Sequence, residues 1–201
     1  LYDLTHQRHN SPYALTHASA FATHAKFELV GGVDTDSSRR KTFETKFCAK
    51  SFESTEEALV ETTPDVVIIA SPTSLHRHHV EAVLNGSKPK VIICEKPLAA
   101  TPVDAEAIVS ACDRAGVDVF VNYQRRVDAA VLDVRGRLRT SKIRLPLRGT
   151  CWYSKGAMHS ASHFADLLKF WLGPIEIIRL DRLGRTFGSD DAEPDFTLHF
   201  S

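Results

Sequence analysis

The sequence predicts an α/β protein. Its first part reads as a Rossmann-like, doubly wound parallel sheet, followed by a partial α+β domain with a mainly antiparallel sheet. Three observations carry this. Strand and helix candidates alternate from residue 13 to residue 122. The strand candidates DVVIIA (65–70) and VIIC (91–94) are near-continuous apolar runs, as strands covered on both faces are. Beyond Asn122 the candidate strands alternate apolar with polar residues, as antiparallel strands with one covered face do.

Each element has its own signal. Residues 13–24 suit a helix entered through Ser11 as cap and Pro12 as first helical residue. Residues 27–33 read as a strand ending in Gly31 and Gly32, followed by Asp34. Residues 37–47 read as a charged helix. Ser54 followed three residues later by Glu57 is a capping box for a helix over 54–61. After the strand at 65–70, residues 76–85 form a helix closed by Gly86. The strand at 91–94 precedes a helix over 101–115, with Thr101 as cap, Asp104 in the first turn and Gly116 as the stop. Residues 117–122 complete four strands.

The second part offers a basic amphipathic helix at 127–139, an alternating strand at 147–153 and a helix at 160–171 stopped by Gly173 and Pro174. Alternating strands follow at 176–182 and 195–201. The change of character sets a boundary near residues 121–126, giving domains 1–122 and 123–201.

The 201 residues carry 25 Lys plus Arg and 25 Asp plus Glu, for a formal net charge of +0. That balance argues against a broad basic face for nucleic acid or a polybasic membrane surface. No run approaches the about 18–20 apolar residues of a membrane span. The four cysteines are widely spaced and form no CxxC pair, which argues against a zinc ribbon. Cys94 and Cys112 read as reduced, buried thiols, which points to a reducing, cytoplasmic compartment.

Several residues are placed for chemistry. Asp34 follows an apolar strand directly, where a dinucleotide-binding fold puts the acid that accepts from the adenosine ribose. An Asp opening a turn is the plain alternative. Arg39 and Arg40 stand close enough to meet a 2′-phosphate, or serve as solvated helix charges. Ser71, Pro72, Thr73 and His76 leave the second strand at its carboxyl end, where open sheets bind ligands. The same residues suit a helix cap with Pro in the turn. His76, His78 and His79 lack a carboxylate or Cys to complete a metal set, and no metal is expected.

Glu95, Lys96 and Pro97 follow VIIC directly. A partly desolvated Lys there suits acid–base work; a salt-bridged surface turn is the alternative. His159 and His163 are four apart, with Asp166 three further on. On one helix His163 and Asp166 share a face, so the carboxylate would orient the imidazole. A zinc-binding HxxxH ranks below this, because no Glu follows the first His.

Five segments in this order resemble the Gfo/Idh/MocA family of nicotinamide-dependent oxidoreductases. They are GGVDTD (31–36), SPTSLH (71–76), CEKPLA (94–99), VNYQRR (121–126) and SHFADLL (162–168). The resemblance implies an N-terminal NAD(P)-binding Rossmann domain and a C-terminal α+β domain for substrate binding and oligomerisation. It implies hydride transfer between a nicotinamide dinucleotide and a secondary alcohol or ketone of a sugar, cyclitol or related molecule. The alternative is a relative that binds the dinucleotide without turnover. NAD is expected over NADP, since Asp34 would repel a 2′-phosphate.

The resemblance makes Lys96, His163 and Asp166 catalytic. It assigns the cofactor to Asp34, Arg39, Ser71, Pro72, Thr73, His76, Glu95, Lys96, Pro97 and Asn122. Substrate would meet Lys96, Arg126, Trp152, Tyr153, Lys155, His159 and His163. The expected partners are a small molecule and other copies of the chain in a dimer or tetramer, with no nucleic acid and no membrane.

Two departures stand out. His159 occupies the position where many members carry Asp. No glycine precedes Gly31, so the family's Gly-rich phosphate loop is expected before Leu1, and the second domain is expected to run on beyond Ser201.

Overall fold

A computed structural model describes residues 14, 16–145, 147–182, 184, 186–187, 191–192 and 195–200, with side chains after residue 174 described in part. The chain divides into two compact units, Leu1–Val121 and Asn122–Ser201.

The first unit opens on helix α1 (His17–Thr23), where Thr16 takes the cap by accepting from the Ser19 amide at 3.4 Å. The expected helix over 13–24 is therefore shorter, and its expected entry through Ser11 and Pro12 lies outside the described residues. Strand β1 (Gly31–Val33) is also shorter than the expected 27–33. Its length is set by its partner, the three-residue strand β2 (Lys50–Phe52), which pairs with it in parallel from Gly31↔Lys50 to Val33↔Phe52. Phe27 and Val30 lie before that ladder and stay exposed.

Helix α2 (Ser37–Phe47) has the expected bounds. Asp36 caps it by accepting from the Ser38 and Arg39 amides at 2.8 and 3.3 Å. Its one buried side chain, Phe43, lies on β1, and a Cβ at Gly32 would stand 2.7 Å from the Phe43 ring. That close approach explains the glycine.

Helix α3 (Thr55–Glu61) is capped by Ser54, whose hydroxyl accepts from the Glu57 amide at 3.1 Å. The Glu57 carboxylate returns the contact to the Glu53 amide, one residue earlier than the standard capping box.

Strands β3 (Val66–Ile69), β4 (Val91–Cys94) and β5 (Asp118–Val121) form a parallel sheet in the order β3-β4-β5. Helices α4 (His76–Gly86) and α5 (Pro102–Ala115) connect them. Gly116 ends α5 in the left-handed region at φ 68, as expected of a C-terminal glycine. The core gathers Ile69, Val80, Val83, Ile92, Cys94, Ile108 and Cys112. Val80 and Val83 share one face of α4, and Ile108 and Cys112 one face of α5. Each fully buried aliphatic side chain contributes about 1.5–3 kcal/mol. Burial pushes the Cys94 thiol up to about 12, so it stays protonated and serves as core. The four cysteines are free, Cys94 and Cys112 buried, Cys48 and Cys151 exposed.

Among the described residues the five parallel strands thus form two pieces, β1-β2 and β3-β4-β5. A doubly wound sheet has the order 3-2-1-4-5-6. The two pieces match the order of its 3-2 and 4-5-6 flanks, and among the described residues no strand pairs with both.

The second unit holds helix α6 (Ala129–Arg139), capped by Asp128 through the Ala130 and Val131 amides. Val127, expected inside this helix, belongs to the preceding 3-10 turn Gln124–Val127. Helix α7 (Ser162–Leu172) follows a π-helical turn, Ala157–Ala161. The Trp171 indole donates to Val131 O at 3.0 Å and ties α7 to α6. Strand β6 (Ile175–Arg182) pairs antiparallel with β9 (Asp195–Phe200); two short strands, β7 (Thr186–Phe187) and β8 (Asp191–Ala192), form a hairpin between them. The expected strand at 147–153 is not formed: these residues run without a ladder, and Trp152 is 88% exposed. Alternation alone does not make a strand when no neighbouring backbone offers its hydrogen bonds.

Candidate active site

In the first unit the candidate residues collect at the carboxyl ends of β1, β3 and β4. The Asp34 amide continues the ladder by donating to Phe52 O at 3.1 Å, which fixes its side chain at the strand end. Its Oδ1 accepts from the Asp36 amide at 2.9 Å. Arg39 stands 3.8 Å from Asp34 Oδ2 and 3.8 Å from Asp36 Oδ2, exposed and loosely held. Arg40 is spent differently. Its guanidinium donates to Asp34 O and Thr35 O at 2.8 and 3.1 Å and reaches Glu53. Of the two arginines, Arg39 is therefore the more exposed and the more loosely held.

After β3, Ser71 and Pro72 lead into a 3-10 turn, Thr73–Leu75, which runs directly into α4. Ser71 Oγ is a buried atom with no hydrogen-bond partner in the protein. Such an atom is unusual and suits a site whose ligand supplies the missing bond.

His76, expected to line a cofactor, is buried at 1% exposure. Its Nε2 lies 2.9 Å from Ser71 O and its Nδ1 3.1 Å from Leu98 O. The ring lies between the loops that follow β3 and β4 and bridges them through these two carbonyls. A neutral ring can donate to only one of the two carbonyls at a time. His78 and His79 do not join it, and among the described residues no three His, Cys, Asp or Glu gather as a metal set.

The loop after β4 carries Glu95, Lys96 and Pro97, all half-buried, with a cis Lys96–Pro97 peptide. The Glu95 amide donates to Ile69 O at 2.9 Å, one residue past the ladder. Its carboxylate accepts from His17 Nε2 at 2.8 Å and from the Lys96 amide at 3.3 Å. Sequence reasoning passed over His17. The signal was a His on the first turn of α1, but its partner lies 78 residues away.

In the second unit, Asn122 opens the segment after β5. Tyr123 then packs its ring edge-on against His163 on α7, centroids 5.9 Å apart and planes at 87°. Burial pushes the Tyr123 hydroxyl up, and the nearby Asp166 charge adds to this. Tyr123 thus stays a protonated phenol beside the His163 ring. In the sequence it stands out only as part of VNYQRR (121–126).

Arg126 was expected to meet substrate and Asp166 to orient His163. In the structure the two form a pair: Arg126 Nε lies 2.9 and 3.1 Å from the two oxygens of Asp166, and its Nη2 donates to the same carboxylate. The Asp166 side chain is 7% exposed, and a buried carboxylate takes the strongest donor in reach. The pair clamps the 3-10 turn onto α7. His159 is also re-placed. It sits exposed in the π turn, so His159 and His163 do not stand on one regular α-helix. Turns of this kind frequently occur at functional sites.

A cleft of about 380 Å³ in this unit brings together Trp152, Tyr153 and Lys155, all expected to meet substrate. It adds Arg125, Ser160 and Phe164, which were not expected. Lys155 has φ 69, an uncommon backbone state for a residue with a side chain and one that costs about 1–3 kcal/mol. Gly156 follows at φ 83, and its carbonyl accepts from the Ser160 and Ala161 amides to start the π turn.

Comparison with known proteins decides the family. The pattern of the family described as "Oxidoreductase family, NAD-binding Rossmann fold" (GFO_IDH_MocA) matches residues 12–123, more than half of the chain. The chain belongs to this family. It is 32% identical over 143 residues to an inositol 2-dehydrogenase from Acidothermus cellulolyticus, covering 70% of this chain and 41% of that protein. It is 32% identical over 113 residues to the glucose-6-phosphate 3-dehydrogenase of Bacillus subtilis, covering 56% of this chain and 31% of that protein. The chain thus spans less than half the length of these two relatives. Among solved structures it is similar to the WlbA dehydrogenase from Bordetella pertussis in complex with NADH and UDP-GlcNAcA. That match has a TM-score of 0.71 and 28% identity, over 85% of this chain and 56% of the other.

Within this NAD-binding family, the strand-end residues of the first unit fit a dinucleotide. Asp34 offers a carboxylate, and Ser71 a buried hydroxyl lacking a protein partner. Among the described residues no helix is long and apolar enough to cross a membrane.

Proposed function

We propose that this protein is a nicotinamide-dependent oxidoreductase acting on a secondary alcohol or ketone of a sugar, cyclitol or related small molecule. The observation that carries the reading is Lys96 at the carboxyl end of β4. Its loop is held from one side by His17 through Glu95 and from the other by His76 through Leu98 O. Two independent anchors flanking Lys96 suit a side chain that must be held in one place.

When bound, the nicotinamide supplies the hydride acceptor or donor. The residues assigned to hold the dinucleotide are Asp34 for the ribose and Ser71, Pro72 and Thr73 along the β3 turn. Arg39, Glu95, Lys96, Pro97 and Asn122 complete the set. Lys96 is assigned the substrate hydroxyl proton. Its charge cannot help beside a cationic ring, so its roles are proton transfer and, in the reducing direction, polarising the carbonyl. His163, packed by Tyr123, is the acid–base candidate of the second unit. Trp152, Tyr153, Lys155 and His159 are assigned to substrate. Asp166 and Arg126 serve as a clamp that sets the pitch of α7 and with it His163.

The test is Lys96→Met in the intact protein. Turnover on a polyol and sugar panel should fall by at least about a hundredfold, as for a lost acid–base group, while NADH binding survives. Wild-type turnover would overturn the assignment. Bound NADH with no turnover in the wild type would favour the second reading, a dinucleotide-binding relative without catalysis, to which His159 points.

A cytoplasmic location and a homo-oligomer, dimer or tetramer, belong to the same reading. Four free cysteines support the first. Sedimentation velocity would test the second.

A further inference from the structure

We infer that His17 is a positioning residue for the reaction: through Glu95 it latches the backbone of Lys96. The inference deepens the function proposed above and rests on it for the reaction alone. The latch itself is a property of the fold and can be read without turnover.

Lys96 stands in a loop with few backbone donors, since its neighbour Pro97 has no N–H to give. The loop is fixed at Glu95, whose amide donates to Ile69 O at 2.9 Å, and at Leu98, whose carbonyl lies 3.1 Å from His76 Nδ1. Lys96 lies between these two points. Its own amide donates to Glu95 Oε2 at 3.3 Å. That bond lasts only while the Glu95 side chain keeps one rotamer, and a glutamate stem has many to choose from.

His17 selects the rotamer. Its Nε2 lies 2.8 Å from the other oxygen, Oε1. A carboxylate accepts and has no proton to give, so the imidazole is the donor. One oxygen thus faces α1 and the other the Lys96 amide, and the carboxylate is held from both sides. The bond joins residues 78 apart in sequence, so it exists only in the folded chain. The two side chains are 28% and 32% exposed. At that depth a charge-assisted bond is firmer than a surface pair and avoids the heavy desolvation cost of a fully buried one.

Core packing does not account for this histidine. It is the first residue of α1, next to the Thr16 cap, and α1 has no fully buried side chain. The competing role is the reverse one, in which Glu95 anchors α1. The two roles differ in which segment loosens when the bond is cut.

The test is amide hydrogen exchange on the intact protein, followed in segments 91–99 and 16–24. His17→Ala should raise exchange about tenfold in 91–99, where the Lys96 amide loses its fixed acceptor. His17→Gln keeps a side-chain N–H donor and should restore most of the protection. Glu95→Ala should match His17→Ala, and the double variant should go no further than either, because both cut one path. Loosening confined to 16–24, or additive effects of the two substitutions, overturns the inference. Turnover gives a second readout. In His17→Ala, kcat should fall about tenfold with KM for the sugar within about a factor of two, and Gln should recover it. A rise in KM at unchanged kcat overturns the positioning role. A wild type without turnover would sink the proposed reaction, and exchange in 91–99 would still decide the latch.

Discussion

Arg126 holds both carboxylate oxygens of Asp166 across 40 residues of sequence, from a 3-10 turn to the middle of α7. The two ends of this pair differ in environment. The Asp166 side chain is 7% exposed and the Arg126 side chain 43%. The arginine also lies over the Phe170 ring at 5.4 Å, a ring it shares with Arg135 at 3.9 Å.

That asymmetry predicts unequal mutants. Arg126→Ala strands a buried carboxylate and should cost about 2–4 kcal/mol. Asp166→Ala leaves an arginine that water and Phe170 can serve, and should cost about 1–2 kcal/mol. Urea midpoints of both variants check this; equal losses would show that Asp166 is not the buried end.

His76 bridges Ser71 O and Leu98 O from the core, so His76→Ala should leave two carbonyls and a cavity behind. A loss of about 2–4 kcal/mol is expected. NADH affinity should fall as well, because the β3 and β4 loops lose their common spacer. Phe at this position, of similar shape but without the nitrogens, should recover part of the stability and little of the affinity. Full recovery of both would reduce His76 to a filler.

Asp34 at the end of β1 should set the choice between NAD and NADP. Its charge opposes a 2′-phosphate, while Arg39 stands 3.8 Å away with a compensating charge. Asp34→Ser should narrow the ratio of NADPH to NADH dissociation constants by about tenfold, the equivalent of about 1.4 kcal/mol. Wild-type protein that binds NADPH more tightly would overturn the preference.

His79 on α4 supplies a pH dependence. Burial lowers its pKa, and the neighbouring His78 adds to this. Its ring stands 3.4 Å from the Thr55 hydroxyl of α3. Because the folded state holds the proton less well than the unfolded chain, the neutral ring favours folding. That contribution is full above about pH 6.5 and is lost as pH falls through the unfolded value toward the lower folded one. The unfolding midpoint of the wild type should therefore drop between pH 7.5 and 5.5 more than that of His79→Gln. Parallel curves would refute the shift.

Local chemistry carried much of the fold. The bounds of α2, the Ser54 and Thr101 caps, the Gly116 stop and the strand Val91–Cys94 were legible because each depends on residues within about four positions of one another. The motifs at the ends of β1, β3 and β4 were legible for the same reason, and they pointed to the family that the comparisons establish.

The partners were not legible. β2 is three residues that become a strand through pairing with β1, and residues 147–153 alternate like a strand but have no ladder. His17 meets Glu95 across 78 residues, and Asp166 accepts from Arg126 across 40. Sequence by itself determined the strand-end residues after β1, β3 and β4 and the Ser54 and Thr101 caps, since those are short-range bonds. Tertiary structure alone decided which carboxylate meets which cation and that His76 is buried. Those outcomes depend on burial, which raises the cost of an unmatched charge and so selects the partner.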